Sequence, residues 1–125
     1  KKYTLLLVED NPDLLQTLKN IFDPFYRVIT ATNGKEGLSA TFEHKPDIII
    51  SDIMMPEMNG YEAAKAIRAM NDRPDGKNIP IIAMTANSFA EDVQASLDAG
   101  MNAHLSKPIV IEEVIKTILR YVHND

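Results

Sequence analysis

Cysteine is absent from the 125 residues, which removes disulfides and thiolate metal sites from consideration. A reducing compartment suits such a chain, and a cytoplasmic location is the expectation. A basic run is also missing. With 13 Lys and Arg against 18 Asp and Glu the net charge is -5, so direct nucleic-acid binding, which needs clustered cations, is not expected of this segment. No apolar stretch approaches the roughly 18 to 20 residues of a membrane span, and the amino end lacks a secretory pattern. A soluble segment without membrane contact is expected. Internal repeats and low-complexity tracts are absent too. What is there has the length of one domain with one well-filled core, and the reading is a single domain over residues 1–125. Because the chain starts at Lys1 and not at methionine, it reads as an excised part of a longer protein or as a processed chain.

Two periodicities alternate along it. Tyr3 to Val8 is a continuous apolar run of strand length that ends on Glu9-Asp10. Asn11-Pro12 reads as N-cap and first helical residue, and Leu14, Leu15, Leu18, Ile21 and Phe22 recur at helical spacing until Asp23-Pro24. Arg27 to Ala31 predicts a second strand and Gly34 to Phe42 a weaker helix interrupted by Gly37. The third strand, Asp47 to Ser51, runs into Asp52 and a proline-glycine turn; Asn59 to Met70 is then an amphipathic helix. The polar stretch Asn71 to Asn78 predicts a mobile loop. Ile79 to Met84 is a fourth strand ending on Thr85, and Ser88-Phe89-Ala90-Glu91 matches a capping box opening a fourth helix. Asn102 to Ser106 is a short fifth strand ending on Lys107-Pro108, and Val110 to Val122 carries the last amphipathic helix.

Five strands alternating with five helices predict a doubly wound α/β fold, a mainly parallel sheet with helices on both faces. Ligands of such sheets gather outside the carboxyl ends of the strands. Glu9, Asp10, Asp52, Thr85 and Lys107 all fall there. Three crowded carboxylates repel one another, and a hard divalent cation such as Mg²⁺ (or Mn²⁺) relieves that repulsion with few protein ligands. An aspartate can also act as a nucleophile toward phosphorus, provided the transferred charge is neutralised. Lys107 and Thr85 supply a cation and a hydroxyl for that task.

With these residues in view, the chain resembles the receiver (response-regulator) domain of two-component signalling. The resemblance rests on Glu9-Asp10, the segment from Asp52 to Gly60, Met84-Thr85-Ala86 and Leu105-Ser106-Lys107-Pro108, in order and across the whole chain. It implies the flavodoxin-like strand order 2-1-3-4-5. It further implies Asp52 as phosphoacceptor, attacking a phosphohistidine on a partner protein, and a Mg²⁺ site made by Asp10, Asp52, Glu9 (directly or through water) and the main-chain carbonyl of Met54. Lys107 would pair with the phosphoryl oxygens, Thr85 would move its hydroxyl to them, and the Lys107–Pro108 peptide would be cis. His104 stands where the family has its switch aromatic, with a packing role the equal alternative. Met54 and Asn87 flank the approach of water and would tune phosphoryl lifetime.

Partners implied by the resemblance are a histidine kinase dimerisation/phosphoacceptor domain or a histidine phosphotransfer domain, docking at helix one. Helix four, strand five and helix five are the implied output surface, through which a weak homodimer is allowed. The wording from Met101 to Ile109 resembles receivers fused to hybrid sensor histidine kinases, whose parent chain would be membrane-anchored. The domain itself would catalyse only its own phosphorylation and dephosphorylation. Each residue also has a plain reading: Asp52 as a strand-end cap, Glu9 and Asp10 as solvated charges before a helix, Lys107 as a surface cation. A degenerate receiver serving as a scaffold is opposed by the intact set of five. An Asp-nucleophile phosphatase of the haloacid-dehalogenase type is opposed by Met54, where that class has a second aspartate.

Overall fold

The computed structural model describes residues 3–55, 57–70, 78–86 and 90–122. Strands β1 (Thr4–Val8), β2 (Arg27–Ala31), β3 (Ile48–Asp52), β4 (Ile81–Thr85) and β5 (Ala103–Ser106) alternate with helices α1 (Pro12–Phe22), α2 (Gly34–His44), α3 (Gly60–Arg68), α4 (Ala90–Asp98) and α5 (Ile111–Val122). All pairings are parallel, in the order β2-β1-β3-β4-β5. Every residue of β1, β3 and β4 is buried, the reason these segments read as unbroken apolar runs.

Successive side chains of a strand point to opposite faces, so each central strand feeds two cores. Leu5, Leu7, Ile48, Ile50 and Met84 pack with Leu18 and Phe22 of α1 and Ile118 of α5. Leu6, Val8, Ile49, Ile81 and Ala83 pack with Ala64 and Ile67 of α3 and with Leu38 of α2. Among the described residues no helix is long and apolar enough to cross a membrane.

Local chemistry sets the helix starts. Asn11 caps α1 by accepting from the amides of Asp13 (3.0 Å) and Leu14 (3.3 Å), with Pro12 in the first turn. Asn59 and Glu62 form a reciprocal capping box at α3. Several ends differ from the sequence reading. α2 continues past Phe42 to His44, because Lys45 adopts left-handed geometry (φ 50°) and closes the helix there. β4 starts at Ile81 instead of Ile79: Asn102 captures the Ile81 amide through its side chain, and Pro80 contributes only its carbonyl, to Ile49. α3 is shorter than Asn59–Met70 by its cap and its last two residues. Residues 71–77, the greater part of the predicted polar loop, and the Ser88 capping residue lie outside the described residues.

Candidate functional site

The registers bring four strand ends to one rim: Val8 lies beside Ser51, Asp52 beside Met84, and Thr85 beside Ser106. Residues just past those ends therefore meet. Glu9 extends the ladder through its amide to the Ala31 carbonyl (3.0 Å), which turns its side chain under the rim, where it is only 1% exposed. Its Oε2 accepts from the Asn11 amide at 2.9 Å. Asp10, next in sequence, is exposed. Asp52 closes β3, is 5% exposed, and accepts the Ile53 amide on Oδ1 at 2.9 Å.

The fifth strand supplies the counter-charge. Lys107 donates its amide to the Thr85 carbonyl (2.8 Å), and its peptide bond to Pro108 is cis. From there its Nζ lies 3.2 Å from Glu9 Oε1 and 3.3 Å from Asp52 Oδ1. Burial drives the Glu9 carboxyl above its usual range; the Asn11 amide pulls it back, and the Asp52 and Asp10 carboxyls raise it again. Burial lowers the Lys107 ammonium, but the carboxylates of Asp52 and Glu9 outweigh it, and the net shift is upward. Lys107 thus stays a cation between two acids.

One cation does not balance three acids. Carboxylate oxygens of Glu9, Asp10 and Asp52 all lie within 4.8 Å of one another, and Asp10 leaves the cluster open to solvent. An all-oxygen, anionic donor set of this kind fits a hard divalent cation. Beside it a cavity of about 300 Å³ is lined by Asp52, Ile53, Met54, Tyr61, Met84, Thr85, Ala86 and Lys107. The buried Thr85 and Asp52 therefore face a common space.

Of the residues expected from sequence, Glu9, Asp10, Asp52 and Lys107 come together directly and Thr85 across the cavity. Met54 is 78% exposed at the cavity edge. His104 is exposed on β5 and does not line the cavity. Asn87 lies outside the described residues. Helical spacing marked Tyr61 as a packing residue; it does pack on the α3 side of the core, and it also lines the cavity. Its place directly after Asn59-Gly60 was the available signal.

A supporting contact had no sequence signal at all. The loop after Asp52 is held at both ends, by the Gly60 amide on the Ile53 carbonyl (2.9 Å) and by the Gly34 amide of α2 on the Met58 carbonyl (2.8 Å). A Cβ at Gly34 would stand 2.1 Å from that Met58 oxygen, and one at Gly60 would stand 2.5 Å from the Asp52 carbonyl oxygen. Only glycine permits either approach.

Comparison with known proteins fits this geometry. A family profile described as the response regulator receiver domain matches residues 5–119. The polar-differentiation response regulator DivK of Brucella anthropi is 33% identical over 95% of this chain and 95% of its own. Sensor histidine kinase RcsC of Escherichia coli is 33% identical over 94% of this chain, which spans only 12% of RcsC. Among solved structures, the receiver domain of Pseudomonas aeruginosa sensor histidine kinase PA1611, with magnesium in its active-site cleft, superposes with a TM-score of 0.88 at 32% identity, covering 99% of this chain and 100% of that one. The receiver domain of Saccharomyces cerevisiae Ssk1, crystallised with the histidine phosphotransfer protein Ypd1, gives 0.89 at 27% identity over 98% and 90%. The match runs unbroken from the first strand into the last helix, and the chain belongs to the response regulator receiver domain family of two-component systems.

Proposed function

We propose that Asp52 is the phosphoacceptor of this receiver. A carboxylate oxygen of Asp52 attacks the phosphorus of a phosphohistidine; the new P–O bond forms as the P–N bond breaks, and the imidazole leaves. The observation that carries the reading is the position of Lys107 Nζ, 3.3 Å from Asp52 Oδ1 and already directed at the nucleophile. Lys107 then holds the phosphoryl oxygens, and Thr85 brings its hydroxyl to them across the shared cavity.

Glu9, Asp10, Asp52 and the Met54 carbonyl are the proposed ligands of Mg²⁺, and the magnesium in the PA1611 cleft supports that choice. When bound, the metal neutralises charge shared between the carboxylates and the phosphoryl oxygens. Met54 and Asn87 are the proposed lifetime-tuning positions. His104 is kept as the family's switch position.

The Ypd1–Ssk1 complex supports a phosphotransfer partner, with α1, which begins two residues past Asp10, as the dock. The RcsC relationship, in which this chain spans 12% of a sensor histidine kinase, supports a receiver within a hybrid kinase, residues 1–125 forming one domain of it; a cytoplasmic location is part of the same proposal. The α4-β5-α5 face is the proposed output surface and the site of any weak homodimer. With Mg²⁺ and beryllofluoride, amide NMR shifts cluster at Asp10, Asp52, Thr85, His104 and Lys107, and Asp52→Asn abolishes them. An undiminished response in Asp52→Asn overturns the assignment.

A further inference from the structure

All the proposed Mg²⁺ ligands but one are side chains. The exception is the main-chain carbonyl of Met54, on whose role as a ligand this inference rests. Met54 follows Ile53 past the end of β3, so its carbonyl goes where the backbone leads it. No change of side-chain rotamer can bring it back.

Contacts on either side of Met54 lead that backbone. On the strand side, the Ile53 amide donates to the Met84 carbonyl (3.3 Å) and the Ile53 carbonyl accepts the Gly60 amide (2.9 Å). On the other side, the Met58 carbonyl accepts the amide of Gly34, the first residue of α2, at 2.8 Å. Glu57, immediately before Met58, has φ 68°, a left-handed conformation that a side chain disfavours. Such a residue keeps its geometry only while its surroundings impose it, and the Gly34 contact imposes it from outside the loop.

That contact has no slack. A Cβ on Gly34 would stand 2.1 Å from the Met58 oxygen, 2.8 Å from the Met58 carbonyl carbon and 3.0 Å from the Asn59 oxygen, all backbone atoms. The helix end is itself fixed, because Asn33 caps it by accepting the Glu36 amide (2.8 Å). One turn on, Gly37 seats α2 against Val8, the residue before Glu9 and Asp10. The helix thereby refers the backbone on either side of Met54 to the strand that carries the other acids.

We propose that Gly34 is a positioning residue of the metal site, setting through the Met58 backbone where the Met54 carbonyl stands relative to Glu9, Asp10 and Asp52. Mg²⁺ requires a near-ideal octahedron with short bonds, whereas Ca²⁺ accepts longer and looser coordination. Displacement of one carbonyl therefore weakens Mg²⁺ binding more than Ca²⁺ binding.

The test is titration of the full chain with Mg²⁺ and, separately, with Ca²⁺, read by amide NMR at a temperature where each variant is folded. Gly34→Ala weakens Mg²⁺ affinity about tenfold and Ca²⁺ affinity no more than about threefold, so the preference between the two cations shifts. Ile118→Val, a destabilising change in the core between α1 and α5, leaves both affinities as they were. Should Gly34→Ala fail to fold, Asn33→Ala, which loosens the first turn of α2 without adding an atom at the contact, takes its place and shifts the preference in the same direction. Unchanged Mg²⁺ affinity in the folded variant overturns the proposal and leaves the metal reading standing. An equal loss for the two cations, or the same loss in Ile118→Val, also overturns it, since either marks general deformation. Failure of the wild-type protein to bind Mg²⁺ is a different result: it removes the metal reading and this inference with it.

Discussion

Glu9 shows what burial does to a charged residue at the candidate site. At 1% exposure, its carboxylate relies on one backbone amide and on Lys107. Removing the cation leaves a buried acid without its partner, so Lys107→Ala destabilises the metal-free protein by about 2 kcal/mol, less than a fully buried pair because the lysine side chain is 28% exposed. Removing an acid acts in the opposite direction. Asp52→Asn takes one charge from three crowded carboxylates while Lys107 remains with Glu9, and it stabilises the metal-free fold by about 1 kcal/mol. Urea denaturation of both variants in chelator checks the two signs together; a destabilised Asp52→Asn counts against crowding as the dominant force. Three isoleucines placed Asp52 at a strand end in sequence, and only the polar residues ending the other strands set it apart from a cap. Glu9 was not separable from a solvated acid ahead of a helix, since nothing local distinguishes a carboxylate turned under the rim from one turned to water.

At the scale of elements, α2 was the least legible helix and has the most instructive contacts. Gly37, a poor helix former, stands where a Cβ would lie 3.0 and 3.3 Å from the methyls of Val8, so the helix trades propensity for a close seat on β1. Gly34 meets backbone instead. Gly34→Ala costs about 2 kcal/mol, because the Met58 carbonyl cannot yield without moving the loop behind Asp52, whereas Gly37→Ala costs less, its Cβ meeting only the Val8 side chain at 3.0 Å and no backbone atom. Thermal melts of the two variants separate them.

The same helix carries a pH-dependent contribution. Glu36 accepts from the Thr32 amide (2.9 Å) and hydroxyl (2.8 Å), which hold its carboxyl below the ordinary value of 4.5. A depressed folded pKa stabilises above the unfolded value and is lost as pH falls through the folded one. Wild type therefore exceeds Glu36→Gln in stability at neutral pH, and the gap closes in acid. The gap is small and shrinks with salt because the group is exposed, and denaturation at two pH values and two ionic strengths tests both statements.

For the whole molecule, the surplus of negative charge at one rim couples folding to cation binding. A ligand that binds only the folded state stabilises it by about 2.7 kcal/mol at a hundred times its dissociation constant. Saturating Mg²⁺ accordingly raises the melting temperature over that in chelator, and Asp10→Asn cuts the increment. A melt indifferent to Mg²⁺ in the wild-type protein contradicts the proposed metal role.

By itself the sequence determined the alternation of strand and helix, the parallel sheet, and the polar residues that end each strand, because periodicity and capping are local. It also carried the motif order that marks the receiver family. Tertiary structure decided which of those residues touch. The Lys107–Glu9 contact spans 98 positions and exists only because parallel strands align their carboxyl ends. Helical spacing placed Tyr61 on an apolar face, and the family resemblance suggested a switch at His104. Only packing of α3 against the end of β3 turned the tyrosine toward the Thr85 cavity, and only the outer face of β5 left the histidine in solvent.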